Sequence, residues 1–184
     1  MKDYNLITIL GTTATGKTTL ACALANEIDS EIISADSRQV YRGMTIGTGK
    51  DLDDYLINGK QIPYHLIDIV DAGYKYNVFE FQRDFLSAFQ TISQKNKIPI
   101  LCGGTGLYIE AVLKGYKMIE VPTNQSLREH LESKTLEELT QILSTYKTLH
   151  NRTDVDTIKR AIRAIEIADY YSNHTEENTY YPPI

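Results

Sequence analysis

An apolar strand, Leu6-Ile7-Thr8-Ile9-Leu10, runs without a break into Gly11-Thr12-Thr13-Ala14-Thr15-Gly16-Lys17-Thr18. A strand that meets G-x-x-x-x-G-K-T must turn tightly and enter a helix, because the loop works only in that setting. The following residues, 19–28, read as that helix, with Leu20, Leu24 and Ile28 on one side. Gly11 and Gly16 allow the backbone to aim successive N–H groups at a phosphate. The helix start adds partial positive charge, Lys17 adds a full one, and the Thr18 hydroxyl is placed to hold Mg²⁺. Residues 11–18 therefore form a site for a di- or triphosphate, and the motif alone does not distinguish the two.

The rest of the chain alternates in the same way. Glu31–Ala35 reads as a short strand that ends in Asp36-Ser37-Arg38-Gln39, and a polar, glycine-marked stretch from Arg42 to Lys60 reads as loop. His65–Val70 is a possible strand. Phe81, Phe85, Ala88 and Ile92 recur at helical spacing between Phe79 and Lys95. Ile98–Cys102 is a buried strand running into Gly103-Gly104-Thr105-Gly106, with a helix from about 107 to 113. Strand–helix alternation of this kind gives an α/β fold: a P-loop NTPase-like parallel sheet flanked by helices, with a small helical insertion. Ligands of such sheets bind beyond the carboxyl ends of the strands. Three polar turns, at 11–18, 36–39 and 103–106, are thus expected to share one crevice.

From about Pro122 to Tyr146 the pattern changes to two short helices, the second opened by a capping box at Thr135 and Glu138 with Leu136, Leu139 and Leu143 on its apolar side. A longer helix follows from about Asp154 to Tyr171, with Ile158, Ile162 and Ile165 on the buried stripe. The expected organisation is a core over 1–117, a helical insertion over 118–150 and a return to the core over 151–184. Five Lys/Arg (147, 152, 159, 160, 163) stand against Asp154 and Asp156 between 147 and 163, a local +3 on a chain of net charge −5. A group like this is either a solvated helix face or a local anion-binding patch. The overall acidity argues against a broad, sequence-blind coat on nucleic acid.

Composition excludes little else. At 184 residues, 42% hydrophobic and 23% charged, the chain is ordinary for a globular domain. Cys22 and Cys102, in a predicted helix and a predicted strand, read as buried reduced thiols, which suggests a cytoplasmic protein. No apolar run reaches membrane-spanning length and the N-terminus reads straight into the first strand, so neither a membrane span nor a signal peptide is expected.

The chemistry expected of the crevice rests on its carboxylates. A nucleotide hydrolase usually carries a second acid at the end of an apolar strand to hold Mg²⁺; Ile98–Cys102 ends in Gly103-Gly104-Thr105 instead. Asp36 ends the strand after the first helix, where an acceptor would face the phosphate-bearing donor, and there it can take a proton from an attacking hydroxyl or amine. An aspartate at such a turn can equally be a turn former or helix cap. Thr105 offers a hydroxyl to the same crevice.

Six ordered segments together resemble the tRNA dimethylallyltransferase, or isopentenyl-diphosphate:tRNA transferase, family: 11–18, 33–44 (ISADSRQVYRGM), 46–50 (IGTGK), 64–70 (YHLIDIV), 103–108 (GGTGLY) and 159–167 (KRAIRAIEI). The Asp-Ser-x-Gln-Val-Tyr block is far more specific than the phosphate loop. The resemblance implies that residues 11–18 hold dimethylallyl diphosphate and that N6 of an adenine beside the anticodon attacks it. It further implies Asp36, Thr105 and Lys17 as catalytic groups, Mg²⁺ on Thr18, and tRNA contacts from Asp36, Ser37, Arg38, Gln39, Thr105, Arg128, Lys159, Arg160 and Arg163. Thr12 stands where the family usually has proline, and Gly49 where alanine is common. The resemblance also implies a basic C-terminal segment beyond Ile184. Two other readings stay open at this point: a P-loop kinase acting on a small molecule or nucleoside, and a domain that binds diphosphate or tRNA without turnover. The insertion has one arginine, Arg128, amid Glu129, Glu132, Glu137 and Glu138, which is poor material for a kinase's phosphate lid.

Overall fold

The computed structural model describes residues 4–149 and 153–174. The chain divides at Tyr116/Lys117 into two compact units.

The first unit opens with β1 (Ile7–Leu10), α1 (Lys17–Glu27) and β2 (Ile32–Ser34). A short 3₁₀ helix (Leu52–Tyr55) and a two-stranded ribbon, β3 (Leu56–Ile57) with β4 (Lys60–Gln61), follow inside the stretch expected to be plain loop. The ribbon turns on Asn58 and Gly59, both with positive φ, as an Asn-Gly hairpin should. Next come β5 (Tyr64–His65), α2 (Val78–Ser93), β6 (Ile100–Gly103) and α3 (Gly106–Leu113). A capping box between Asn77 and Glu80 starts α2.

Four strands form one parallel sheet in the order β1-β6-β2-β5, so β6 lies between β1 and β2. Side chains alternate across a strand, and both faces of this sheet are covered, as parallel sheets require. Ile33 and Leu101 face Phe81 and Phe85 of α2 with Tyr108 and Val112 of α3. Ile32, Ile100 and Cys102 face Ala21, Cys22 and Ala25 of α1.

The buried side of α1 is Ala21, Cys22 and Ala25, whereas Leu20 and Ile28 are 60% and 43% exposed. Small residues let α1 lie close to the sheet, and the phosphate loop that feeds it sets its rotation. The strand expected over 65–70 stops at His65, because Leu66 and Asp68 have positive φ. Beyond it the chain is held by Ile69 and Val70 amides donating to the Val40 carbonyl.

The second unit begins at Lys117. It contains α4 (Gln125–Glu132), α5 (Leu136–Tyr146), a 3₁₀ turn (Thr153–Val155) and α6 (Ile158–Asn173). The Thr135–Glu138 capping box is formed at the start of α5. Leu131, Leu139 and Leu143 pack with Ala161, Ile162, Ala164 and Ile165. This makes α6 part of the helical unit's core, where a return to the first unit was expected. Ile158, assigned to its buried stripe, is 46% exposed at the first turn. Arg152 and residues 175–184 lie outside the described residues. Among the described residues no helix is long and apolar enough to cross a membrane.

Candidate active site

The loop between β1 and α1 adopts its shape through two residues of positive φ, Ala14 (61°) and Gly16 (75°). Gly16 is the N-cap of α1, with no side-chain cap; the N–H groups of the first turn are therefore left for a ligand. The Thr12 carbonyl braces the loop from inside: it accepts the Thr15 hydroxyl at 2.9 Å and the Lys17 ammonium.

Backbone contacts bring the three predicted turns together. The Ala35 N–H donates to the Cys102 carbonyl at 2.8 Å, and the Thr105 N–H to the Ala35 carbonyl at 3.1 Å. A Cβ on Gly103 would lie 2.3 Å from the Ala35 carbonyl oxygen, closer than atoms can approach, so only glycine lets β6 exit beside β2. The expected crevice at the carboxyl ends of β1, β6 and β2 is therefore present, with a cavity of about 220 Å³.

Lys17, Thr18 and Asp36 line that cavity together with the rest of the loop from Thr13 and with Gly103 and Gly104. One Asp36 carboxylate oxygen accepts the Arg38 N–H at 2.9 Å, which closes an Asx turn and orients the carboxylate. Gln39 also lines the cavity, but its amide is used internally. It accepts from the Ser34 hydroxyl at 2.8 Å and donates to the Gly49 carbonyl at 3.0 Å. Thr105 is not among the lining residues. Its hydroxyl accepts the Ser37 N–H at 3.0 Å and donates to the Ser37 hydroxyl at 3.3 Å. Thr105 thus fixes the turn that carries Asp36, and Arg38 on that turn is exposed.

Several residues at the site had no recognised signal in the sequence. Asp54 and Tyr55, from the 3₁₀ helix, form part of the cavity wall. Asp51 caps that helix by accepting the Asp53 N–H, and an Asx cap ahead of Asp-Asp-Tyr was the readable cue. The Lys50 side chain is fully buried; its ammonium donates to the Tyr41 carbonyl at 2.6 Å and to the Asp68 carboxylate at 2.5 Å. It anchors the segment bearing Thr48 and Gly49, which also line the cavity. Cys102 lies at the cavity edge, and burial pushes its thiol up to about 11 against the opposing charge of Lys17. A thiol of that kind is not a nucleophile at neutral pH.

In the second unit, the predicted basic contacts separate into two kinds. Glu166 is 2% exposed and accepts Arg128 through two bonds, 2.9 and 2.7 Å, the Asn124 N–H at 2.7 Å and Arg163. Burial alone would raise this carboxyl, but the hydrogen bonds from Arg128, Arg163 and Asn124 outweigh it and hold it at about 2. Arg163 also donates to the Val121 carbonyl at 3.0 Å. Both arginines therefore hold the helical unit together. Arg160 pairs with Asp156 one turn away, at 2.5 Å, and Lys159 is exposed.

Comparison with known proteins agrees with this architecture. A family model described as IPP transferase matches residues 39–182, and one described as isopentenyl transferase matches 4–71. A relative from Bacteroides fragilis named tRNA dimethylallyltransferase 2 is 68% identical over all 184 residues. Another of that name, from Trichlorobacter lovleyi, is 55% identical over 98% of the chain. The chain spans 60% and 58% of the lengths of these two relatives. The solved tRNA isopentenylpyrophosphate transferase of Bacillus halodurans is 33% identical, with a TM-score of 0.59 covering 96% of this chain and 57% of that one. A eukaryotic dimethylallyltransferase acting on tRNA shares the fold at a TM-score of 0.71 and 23% identity, covering 96% of this chain and 46% of its own. With the phosphate loop and the Asp36 turn on one cavity and the family match running through most of its length, this chain belongs to the IPP transferase family.

Proposed function

We propose that the protein transfers a dimethylallyl group from dimethylallyl diphosphate to N6 of an adenine beside the tRNA anticodon, releasing diphosphate. The observation that carries this reading is that Lys17 and Asp36 line the same cavity. The cavity thus combines a cation and α1's unfilled N–H groups with a carboxylate held by the Arg38 N–H.

The adenine amine is weakly basic and sits in a stacked stem-loop, so the base must leave the stack to react. Its nitrogen lone pair forms a bond to the terminal allylic carbon as the carbon–oxygen bond breaks. The bonding electrons leave with diphosphate, and the N6 proton passes to Asp36. In an allylic, cation-like transition state most of the barrier lies in the departing charge, which Lys17 and the loop amides are placed to stabilise. Asp36 acts as the general base, and Thr105, through Ser37, is a positioning residue. The Thr18 hydroxyl would hold Mg²⁺, which neutralises phosphate charge when bound. The donors present fit that ion: the cavity offers hydroxyl and carboxylate oxygens, and Mg²⁺ characteristically takes oxygen ligands with phosphate oxygens and its own waters. Ser37, Arg38, Lys159 and Arg160 remain the candidates for contact with tRNA. The tRNA acceptor and the two free, buried cysteines fit a cytoplasmic protein.

Incubation with labelled dimethylallyl diphosphate and unmodified tRNA, beside labelled ATP with candidate acceptors, tests the reading. Label entering tRNA is expected. Phosphate transfer from ATP would replace the transferase with a kinase, and silence in both would leave a binding domain without turnover.

A further inference from the structure

Three features lie outside the chemistry above. Glu31, buried and bonded to His65 and Lys95, has its partners and no cavity. A groove beside Tyr146 and Tyr171 has nothing to say what covers it. The third is the 3₁₀ helix at the phosphate cavity.

That helix brings an acid to a site built for an anion. Asp54 and Thr18 line the same cavity, and the Thr19 hydroxyl lies 3.5 Å from the Asp54 carboxylate, at the start of α1. A carboxylate beside bound diphosphate repels it unless a cation stands between them. The other acids are accounted for: Asp51 accepts the Asp53 N–H as a cap, neither Asp51 nor Asp53 lines the cavity, and Asp36, which does, has one oxygen taken by the Arg38 N–H and is the proposed base. The adjacent residue brings a second polar side chain to the same wall of residues. Tyr55 is 3% exposed and lines the cavity. Its ring stacks edgewise on Tyr64, and its hydroxyl makes no hydrogen bond among the described residues. Among the described residues the fully buried side-chain oxygen left unpaired is Gln82 Oε1, so the Tyr55 hydroxyl keeps access to solvent and can bond water or a ligand that enters the cavity.

We propose that Asp54 is the acidic member of the cation site, holding through water the Mg²⁺ that accompanies diphosphate, together with the Thr18 hydroxyl. This deepens the reading above and rests on it. It also supplies the acid that Ile100–Gly103 lacks at its carboxyl end. Oxygen donors, one carboxylate and room for retained water are what Mg²⁺ selects.

Calorimetric titration of the protein with inorganic diphosphate, in EDTA and in Mg²⁺, is the test, with bound Mn²⁺ followed by electron paramagnetic resonance. The wild-type protein should bind diphosphate more tightly with Mg²⁺. Asp54→Asn should weaken the metal by about tenfold to a hundredfold, the range for an outer-shell partner, leaving affinity in EDTA equal or higher. Asp53→Asn should behave as wild type. If Asp54→Asn keeps the full Mg²⁺ gain and the bound Mn²⁺ signal, or loses affinity equally in EDTA, the role assigned to Asp54 is overturned while the diphosphate reading stands. A wild-type protein indifferent to Mg²⁺ overturns it in the same way. A wild-type protein that binds no diphosphate under either condition overturns the diphosphate reading and Asp54's role with it.

Discussion

The charged side chains at the phosphate cavity and those around Glu166 are used in opposite ways. In the first group, Lys17, Asp36 and Asp54 face an open cavity, and the bonds they make run mostly to loop backbone. In the second, Arg128 and Arg163 turn inward onto Glu166, a carboxylate that is 2% exposed. A charged group at the carboxyl end of a parallel strand has nothing above it, because the helices that cover the faces leave the ends free. A charged group on a helix packed among other helices meets a neighbour within a turn. The same residue type is thus an offered ligand at the cavity and a structural tie at Glu166, as Lys50 is with Asp68.

That contrast can be broken experimentally. The largest effect is expected at Asp36: Asp36→Ala should lower turnover by roughly 10²–10⁴, the range for a lost general base, with diphosphate affinity retained. A loss below threefold in single-turnover transfer would remove Asp36 from the chemistry. Gly103→Ala places a methyl 2.3 Å from the Ala35 carbonyl and should destabilise the fold by about 3 kcal/mol, the upper range for overpacking. Urea unfolding reads this directly, and a neutral outcome would mean that β2 and β6 are free to separate.

Glu166 tests the second unit. Its folded-state value is depressed to about 2 from the usual 4.5, so the stability it adds is complete above about 4.5 and is lost as pH falls towards 2. At neutral pH Glu166→Gln should cost about 2 kcal/mol, on the low side for a broken buried pair because both arginine heads stay partly in water. Melts between pH 2 and 5 should show wild type and variant converging; a gap unchanged with pH would mean the carboxylate carries no charge-dependent stability. The smallest effect belongs to Lys159→Ala. Stability should move by less than about 0.5 kcal/mol, while the slope of tRNA affinity against salt drops by about one phosphate contact. An unaltered slope would make Lys159 a plain solvated residue.

Much of this was readable in advance, for reasons that differ by element. The capping box at Thr135 and Glu138 and the Phe81–Ile92 spacing are local signals, and both helices lie where they point. The α1 face was misread because Leu20 and Ile28 are more hydrophobic than Ala21 and Ala25, yet closeness to the sheet, which only small side chains permit, chose the face. Lys50, Asp54 and Tyr55 fell in a stretch whose glycines and charges resemble any loop. Their meaning came from Asp68 and the phosphate loop, distant in sequence.

Sequence by itself determined the phosphate loop, the strand–helix alternation and the family, because a backbone turn and a side-chain period are written within a few neighbouring residues. Tertiary structure alone decided which polar groups face the cavity and which are consumed inside the protein. Whether Gln39, Thr105, Arg128 or Arg163 can reach a ligand depends on a partner far along the chain that takes its hydrogen bonds first.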